Sequence, residues 1–218
     1  MITCSCPLPE SLAELCPATC PENFGQIQKI AFQRINNVDG GTRNGFTTTD
    51  IKKLASWQAF FGATDDTKIT VSPFINAPAS DGGGARTFGG GNETLGGVEE
   101  VIGSEPVTFN AQLRGIPQSI IKVLKSYMCD AKVNNLGVYL INENGQIEAI
   151  DGGAGATEGS RIYYPIPVKA FFVGDKIHGG LEAPDSNAIS WSFAPNYSDD
   201  LVVITPEFNA TELESGCQ

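Results

Sequence analysis

The sequence predicts a mainly β fold, a β-sandwich or barrel of about eight strands with two short packed α-helices and a long glycine-rich loop. Charged residues make up only 18% of the 218 residues, while 25 glycines and 13 prolines favour many turns. Apolar side chains alternate with polar ones in several short stretches, at the period of two that is typical of half-buried strands. Only two segments have helical spacing, which indicates a β architecture with helices packed on it.

The first half of the chain predicts two strands and one helix ahead of the glycine-rich loop. Residues 25–35 alternate apolar and polar side chains and form the first predicted strand. Thr47-Thr48-Thr49-Asp50 supplies helix-capping side chains, and the apolar spacing that follows predicts a helix over 50–61. Residues 68–72, after a turn at Asp65-Asp66, form the second predicted strand.

The second half begins with the clearest half-buried strand, residues 107–114, where apolar and polar residues alternate without interruption. Gly115-Ile116-Pro117 ends this strand and begins a helix over 117–128, because proline is tolerated in a first helical turn. The Asn-Gly pair at 144–145 predicts a tight hairpin. The remaining predicted strands are residues 137–141, 146–150, 161–173, 189–193 and 201–204, the last of them fully buried.

The glycine-rich loop, residues 76–97, contains eight glycines and shows neither a helical period nor a strand alternation. A phosphate-binding loop would need a Lys after the glycines and then a helix, and the dinucleotide-binding glycine spacing is broken at Thr87. Long loops without secondary structure are usually functional or disordered. Doubled back on itself, this one could reach about 35 Å. We therefore predict an assembly arm, with Arg86 and Phe88 as the anchors that meet a neighbouring subunit.

The charge of the chain argues against one class of function. A net charge of −11 and a pI near 4.5 oppose nucleic-acid binding through a basic patch. The densest basic stretches are only the pairs Lys52-Lys53 and Lys122/Lys125, and residues 1–22 and 193–218 carry acids without any Lys or Arg. The acidity indicates either plain solubility or a surface that repels DNA.

Three segments are predicted: a Cys/Pro-rich N-terminal strap at 1–24, a single β-rich domain at 25–205 and an acidic C-terminal tail at 206–218. The four cysteines of the strap are Cys4, Cys6, Cys16 and Cys20. Their spacing could hold a zinc ion, but the usual CxxC pairs are missing, and reduced thiols or late disulfides are the alternatives. Without a recognisable secretion signal or membrane-spanning stretch, we expect folding in a cytosol.

Residues that could carry catalysis are few, and we predict no enzyme activity and no cofactor. His178 is the only histidine, so a Ser-His-Asp or Cys-His mechanism would depend on it, yet it lies in a predicted surface turn. Acidic neighbours occur at Asp65-Asp66, Glu99-Glu100 and Asp199-Asp200. Adjacent residues on a strand point to opposite faces, whereas glycoside hydrolysis needs two carboxyls across one cleft.

A strand, a long loop, a strand with a polar face and a helix follow one another between residues 68 and 128, about a third of the chain. This order, carried by segments 68–76, 77–97, 98–114 and 117–128, resembles the tail tube (major tail) proteins of tailed bacteriophages. The resemblance implies a virion structural protein that forms rings, whose stacking makes a DNA conduit. Its partners would be copies of itself and other virion proteins, with no membrane, and assembly would take place in the cytoplasm of the bacterial host.

The resemblance also implies which residues line the conduit. A lining without positive charge avoids ionic contacts with phosphates, which act over a screening length of about 8 Å at physiological salt. DNA would then pass without specific binding. The predicted lumen-facing residues are Glu99, Glu100, Glu105, Thr108, Asn110 and Gln112.

Other roles stay open at this point. The cysteine-containing strap and the helix at Asp50 depart from a minimal tube fold, so a tail terminator, a head-tail connector or a capsid decoration protein are related alternatives. A β-sandwich module that binds carbohydrate or a host surface is an alternative of another class, with Trp57, Tyr163 and Phe88 as its exposed aromatics. A hydrolase that depends on His178 is the least supported.

Overall fold

The computed structural model describes residues 23–37, 41–153 and 161–215, and this part is mainly antiparallel β-structure with two α-helices, which confirms the mainly β prediction. The strands are β1 (Ile27–Arg34), β2 (Phe46–Thr47), β3 (Ile69–Val71), β4 (Asn76–Ser80), β5 (Ala85–Gly89), β6 (Glu99–Ser104), β7 (Val107–Arg114), β8 (Leu136–Asn142), β9 (Ile147–Asp151), β10 (Ile162–Tyr164), β11 (Ile166–Val173), β12 (Ser186–Phe193) and β13 (Leu201–Ile204). The helices are α1 (Leu54–Phe61) and α2 (Gln118–Lys132). Within the described residues, no helix is long and apolar enough to cross a membrane.

Eleven of the strands belong to one sheet, and β5 and β6 form a separate two-stranded sheet. The main path runs β2-β10-β9-β8-β11-β12-β7-β4, with β1 and β3 attached along β8 and β13 attached to β9. Pro165 separates β10 from β11, because proline has no N–H group to donate to a ladder. As a result β10 pairs with β9, whereas β11 pairs with β8 and β12.

The antiparallel pair β1 and β8 lies at the centre of the molecule. Every residue of β8 is buried, and so are Ile30, Ala31 and Phe32 of β1. Since successive residues of a strand point to opposite faces, this pair has apolar packing on both sides. The protein therefore has two core clusters, which we call the first core and the second core.

The first core lies between the β1-β8 pair and the strands β11, β12 and β7. Phe109 and Trp191 stack with their ring centroids 4.2 Å apart, and Phe193 meets Trp191 edge to face. Helix α2 packs on this core through Ile121 and Leu124, both buried. The alternation of β7 places its apolar residues in this core and its polar residues on the other face of the sheet.

The second core holds Trp57 of α1, and the prediction that Trp57 is an exposed aromatic is wrong. Its side chain is fully buried, stacks on Phe46 with centroids 4.6 Å apart and donates its indole N–H to the Ile51 carbonyl at 2.9 Å. Part of the predicted acidic tail also belongs here: Ala210 and Leu213 are buried in the same cluster.

Most predicted elements are present, with corrections that have physical reasons. The strands at 107–114 and 201–204 have the predicted bounds, but β13 is half-buried rather than fully buried, because it lies beside β9 alone. The first helix begins at Leu54 instead of Asp50, since the capping residues form a turn ahead of it. More than about eight strands are found because short pairings, such as β2 with β10, join residues distant in sequence.

Candidate interaction surface

The glycine-rich segment 76–97 is not a loop without secondary structure, and that prediction is wrong. Strand β4 pairs with β7 at the edge of the main sheet, and β5 pairs with β6 in a hairpin. We call this hairpin, residues 85–104, the arm. Its residues are almost all exposed, so no buried face imposes the alternation by which strands are recognised in a sequence.

The arm continues the ribbon formed by β4 and β7 across a bend that hydrogen bonds hold in place. The Asp81 carboxylate accepts the backbone N–H groups of Thr108 at 2.8 Å and Gly83 at 3.1 Å. The Glu105 N–H donates to the Gly84 carbonyl at 2.7 Å. The hydrogen bonds that Asp81 accepts, that from Thr108 first and that from Gly83 second, hold the pKa of Asp81 below its usual value.

Gly83 makes the bend sterically possible. Its φ of +72° lies in the left-handed region, and a Cβ there would stand 2.9 Å from the Glu105 carbonyl oxygen. The direction in which the arm leaves the sheet is thus set by backbone geometry at its base. The sequence Asp81-Gly82-Gly83 is typical of a turn and could have predicted this bend, but it was included in the predicted loop 76–97.

Among its described side chains, the arm carries four large apolar ones that are exposed to solvent. Phe88 is 56% exposed, and the other large apolar side chains left open to solvent are Val98, Val101 and Ile102. Phe88 lies opposite Glu100, and Arg86 lies two residues before Phe88 on the same strand. The predicted anchors are therefore both exposed on β5, and the arm carries more apolar surface than these two residues alone.

The second feature is a polar face on the strands at the base of the arm. Asn110 and Gln112 are exposed on β7 and Thr108 is half-buried, as their alternation with core residues predicts. Ser190 and Ser192 on β12 lie directly opposite Asn110 and Thr108, so they share this face. We call these five residues the polar face; the two serines were missed, although they alternate with the buried Trp191 in the sequence.

A cleft connects the polar face with the arm. It is an open cavity of about 650 Å³. Its lining residues are Asp81, Arg86, Glu105, Pro106, Thr108, Ala170, Ser190, Trp191 and Ser192. Glu105 therefore lies beside the polar face, whereas Glu99 and Glu100 pair with Gly89 and Phe88 farther along the arm. The structure brings together one part of the predicted lumen-facing set and places the other part on the hairpin.

The remaining candidate groups are arranged as follows. His178 is 79% exposed at its side chain, with Nδ1 3.3 Å from Asp185 Oδ2. A larger open cavity of about 1070 Å³ contains Arg34, which forms ion pairs with Asp66 and, at 3.0 Å, with Asp130. The hydrogen bond that Arg34 donates to Asp66 makes the largest contribution to raising the pKa of Arg34 above its ordinary value.

The described residues contain no group of three or more His, Cys, Asp or Glu side chains that could hold a metal ion. The predicted cysteine site at Cys4, Cys6, Cys16 and Cys20 lies outside the described residues. Cys129, in contrast, is a free and exposed thiol on α2.

Comparison with known proteins gives no match on which to build. No protein-family model matches the chain, and no curated protein matches it either. Function therefore has to be argued from the two features with the clearest geometry, the arm and the polar face.

Proposed function

We propose that this chain is a non-enzymatic virion structural protein, a ring-forming tail tube subunit whose stacked rings form a DNA conduit. The observation that carries the proposal is the arm. It is a hairpin with four large exposed apolar side chains among those described, on a hydrogen-bonded base, and exposed apolar patches mark interaction sites in soluble proteins. Both outer edges of the arm are also unpaired within the described residues, and such edges favour strand addition by another chain.

A projecting element that binds elsewhere on an identical molecule makes a head-to-tail contact. Repeated contacts of this kind close into rings or extend into filaments. The arm is suited to such a contact, because its 20 residues, 85–104, match the lower end of the about 20–30 residues a side of a standard interface. The partners we propose are copies of this chain and other virion proteins, within a phage tail assembled in the bacterial host cytoplasm.

The polar face supports the conduit part of the proposal. Its five side chains are all neutral, and the cations that border them on the same side of the sheet are Arg114 at the end of β7 and Lys169 opposite Ser192. A chain of net charge −11 attracts DNA weakly in any case. A neutral, hydrated surface lets phosphates pass without ionic contacts. We place Thr108, Asn110 and Gln112 at the lumen, with Glu105 beside them. We also infer a sandwich-like form, because the β1-β8 pair is covered on both faces.

The test is to remove the apolar surface of the arm and image the product. The purified chain is expected to form rings or tubes in negative-stain electron microscopy. The double variant Val101→Ser and Ile102→Ser is expected to remain folded and to lose these assemblies, because both side chains are more than 60% exposed and contribute little to the core.

The matched control is the double variant Ile177→Ser and Leu181→Ser, which removes two exposed apolar side chains outside the arm. It is expected to assemble like the unmodified chain. An unmodified chain that stays monomeric under all salt conditions would overturn the proposal. Single rings that never stack would instead favour a tail terminator or connector over a tube subunit.

A further inference from the structure

The arm is acidic as well as apolar. Between residues 85 and 104 it has one basic residue, Arg86, and three acidic ones, Glu93, Glu99 and Glu100. The three glutamates are exposed, as are Phe88 and the apolar residues of β6. A partner surface that complements the arm would therefore combine apolar side chains with positive charge.

Helix α2 offers such a surface in a chain that is otherwise acidic. Its inward stripe, which includes Ile121, Leu124 and Ala131, is buried. The opposite stripe follows the spacing of a helix face and is exposed along its whole length. The members of this stripe and its flanks are Lys122, Val123, Ser126, Cys129, Lys132 and Val133, which we call the outer α2 face.

The charges on the outer α2 face are positive. Lys122 and Lys132 are exposed, and Val123 and Val133 are 51% and 69% exposed. The acidic residue of the helix, Asp130, is bound by Arg34 at 3.0 Å, and Lys125 beside the face forms an ion pair with Asp175. Exposed valines next to lysines thus give α2 an apolar surface together with positive charge, which complements the apolar and acidic surface of the arm.

We propose that the arm of one copy docks on the outer α2 face of a second copy. Glu99, which lies on the same side of β6 as Val101, would meet the lysines of the outer α2 face, and Glu100 on the opposite side would add negative charge at the rim of the contact. The valines of α2 would cover apolar side chains of the arm. The inference rests on the proposed function, since it names the surface that receives the arm when copies assemble. The contact is head to tail, because the arm and α2 are different surfaces of the same chain, and it can therefore be repeated around a ring.

Charge reversal on both sides is the first test. Glu99→Lys with Glu100→Lys, and separately Lys122→Glu with Lys132→Glu, are each expected to weaken assembly by about tenfold or more, because like charges are brought together. An equimolar mixture of the two variants restores every contact only where the two variants alternate around a ring, which requires an even number of subunits. The four substitutions in one chain restore every contact in a ring of any size, and they are expected to restore assembly.

The control for the reversal is Lys52→Glu with Lys53→Glu, a lysine pair ahead of α1 and outside the outer α2 face. It is expected to leave assembly unchanged and to give no rescue when combined with the arm reversal. Assembly is measured by analytical ultracentrifugation, with circular dichroism to show that each variant is folded.

The thiol of Cys129 provides a second, geometric test. With Val101→Cys on the arm, mild oxidation of assembled protein is expected to give covalent dimers, since a disulfide forms only when the two Cα atoms come within about 7 Å. The dimers should disappear when Cys129→Ser is added. Leu181→Cys, an exposed position outside the arm, is expected to give no dimer that depends on Cys129.

The outcomes separate this inference from the proposed function. If the unmodified chain assembles, but the four-fold reversal does not rescue it and no dimer depends on Cys129, the docking inference is overturned and the tube proposal stands. If the unmodified chain does not assemble at all, both are overturned. Rescue together with a Cys129-dependent dimer supports the docking of the arm on α2.

Discussion

Lys29 is a buried lysine at the junction of β1 with the C-terminal segment. Lys29 is only 3% exposed, and its Nζ donates a hydrogen bond to the Leu213 carbonyl at 3.0 Å. The same ammonium lies 4.4 Å from the ring centre of Phe74. Burial lowers the pKa of Lys29 below its ordinary 10.5, and the negative charge of Glu214 offsets part of this effect. A charged group in the core thus fastens residues that the sequence had predicted as a tail.

The lowered pKa of Lys29 predicts how stability depends on pH. Between the folded pKa and 10.5 the unfolded chain holds more protons than the folded chain, so the free energy of unfolding rises with pH in that window. Relative to Lys29→Met, the unmodified chain is expected to gain stability as pH approaches 10.5. Urea unfolding of both proteins across the alkaline range measures the difference, in which contributions from other titrating groups cancel.

Lys53→Met provides the control for the loss of one lysine charge, since it replaces an exposed lysine outside the core. Parallel stability curves for Lys29→Met and the unmodified chain would contradict the assignment of a lowered pKa to Lys29.

At the scale of secondary-structure elements, the sequence predicted correctly those strands that have one buried face and one exposed face. Strand β7 was predicted with its observed bounds, because its alternation reports one buried and one exposed side. The arm has no buried side and was therefore missed. The helical spacing that placed Trp57 on an apolar stripe was informative, but nothing local shows that Phe46 would cover it.

The residues of the arm and the polar face were predictable where a local sequence pattern marks them. Arg86, Phe88 and the polar residues of β7 were named from the sequence because they lie in a glycine-rich segment or on the exposed side of a half-buried strand. The serines of β12 became part of the polar face only through their register with β7, which joins residues about 80 positions apart. Pairings between distant strands are set by the whole fold, so no local pattern reports them.

The bend at the base of the arm gives a prediction for this element. Asp81→Ala removes the acceptor for the N–H groups of Gly83 and Thr108, so both amides are expected to exchange hydrogen faster, while the global unfolding temperature changes little. Asp81→Asn keeps an acceptor oxygen and should have a smaller effect. Hydrogen exchange followed by NMR or mass spectrometry resolves the two variants.

Acid is expected to weaken the bend that Asp81 holds. The pKa of Asp81 is lowered in the folded chain, so its contribution is present above the usual value of 3.8 and is lost as pH falls through the folded pKa. Unchanged exchange in Asp81→Ala would mean that the backbone bond between Glu105 and Gly84 holds the bend alone.

At the scale of the whole molecule, the arm and the polar face are parts of one ribbon. Strand β7 contributes the polar face along its length and leads back into the arm at its N-terminal end. A contact that fixes the arm on a neighbour therefore also fixes the orientation of the polar face. In a closed ring, this coupling would turn the polar faces of all copies in the same direction.

The last prediction tests that orientation. Asn110→Lys with Gln112→Lys adds two positive charges to the polar face, at exposed positions that the fold tolerates. Assembled particles of this variant are expected to bind short duplex DNA in a salt-dependent manner. They are expected to protect it from nuclease, because the proposed tube places the polar face, and therefore the bound DNA, in the lumen. Ala55→Lys with Ala59→Lys adds the same charges to exposed positions of α1 and should leave any bound DNA open to nuclease. If DNA bound to both variants is digested equally, the polar face lies outside and the lumen assignment is wrong.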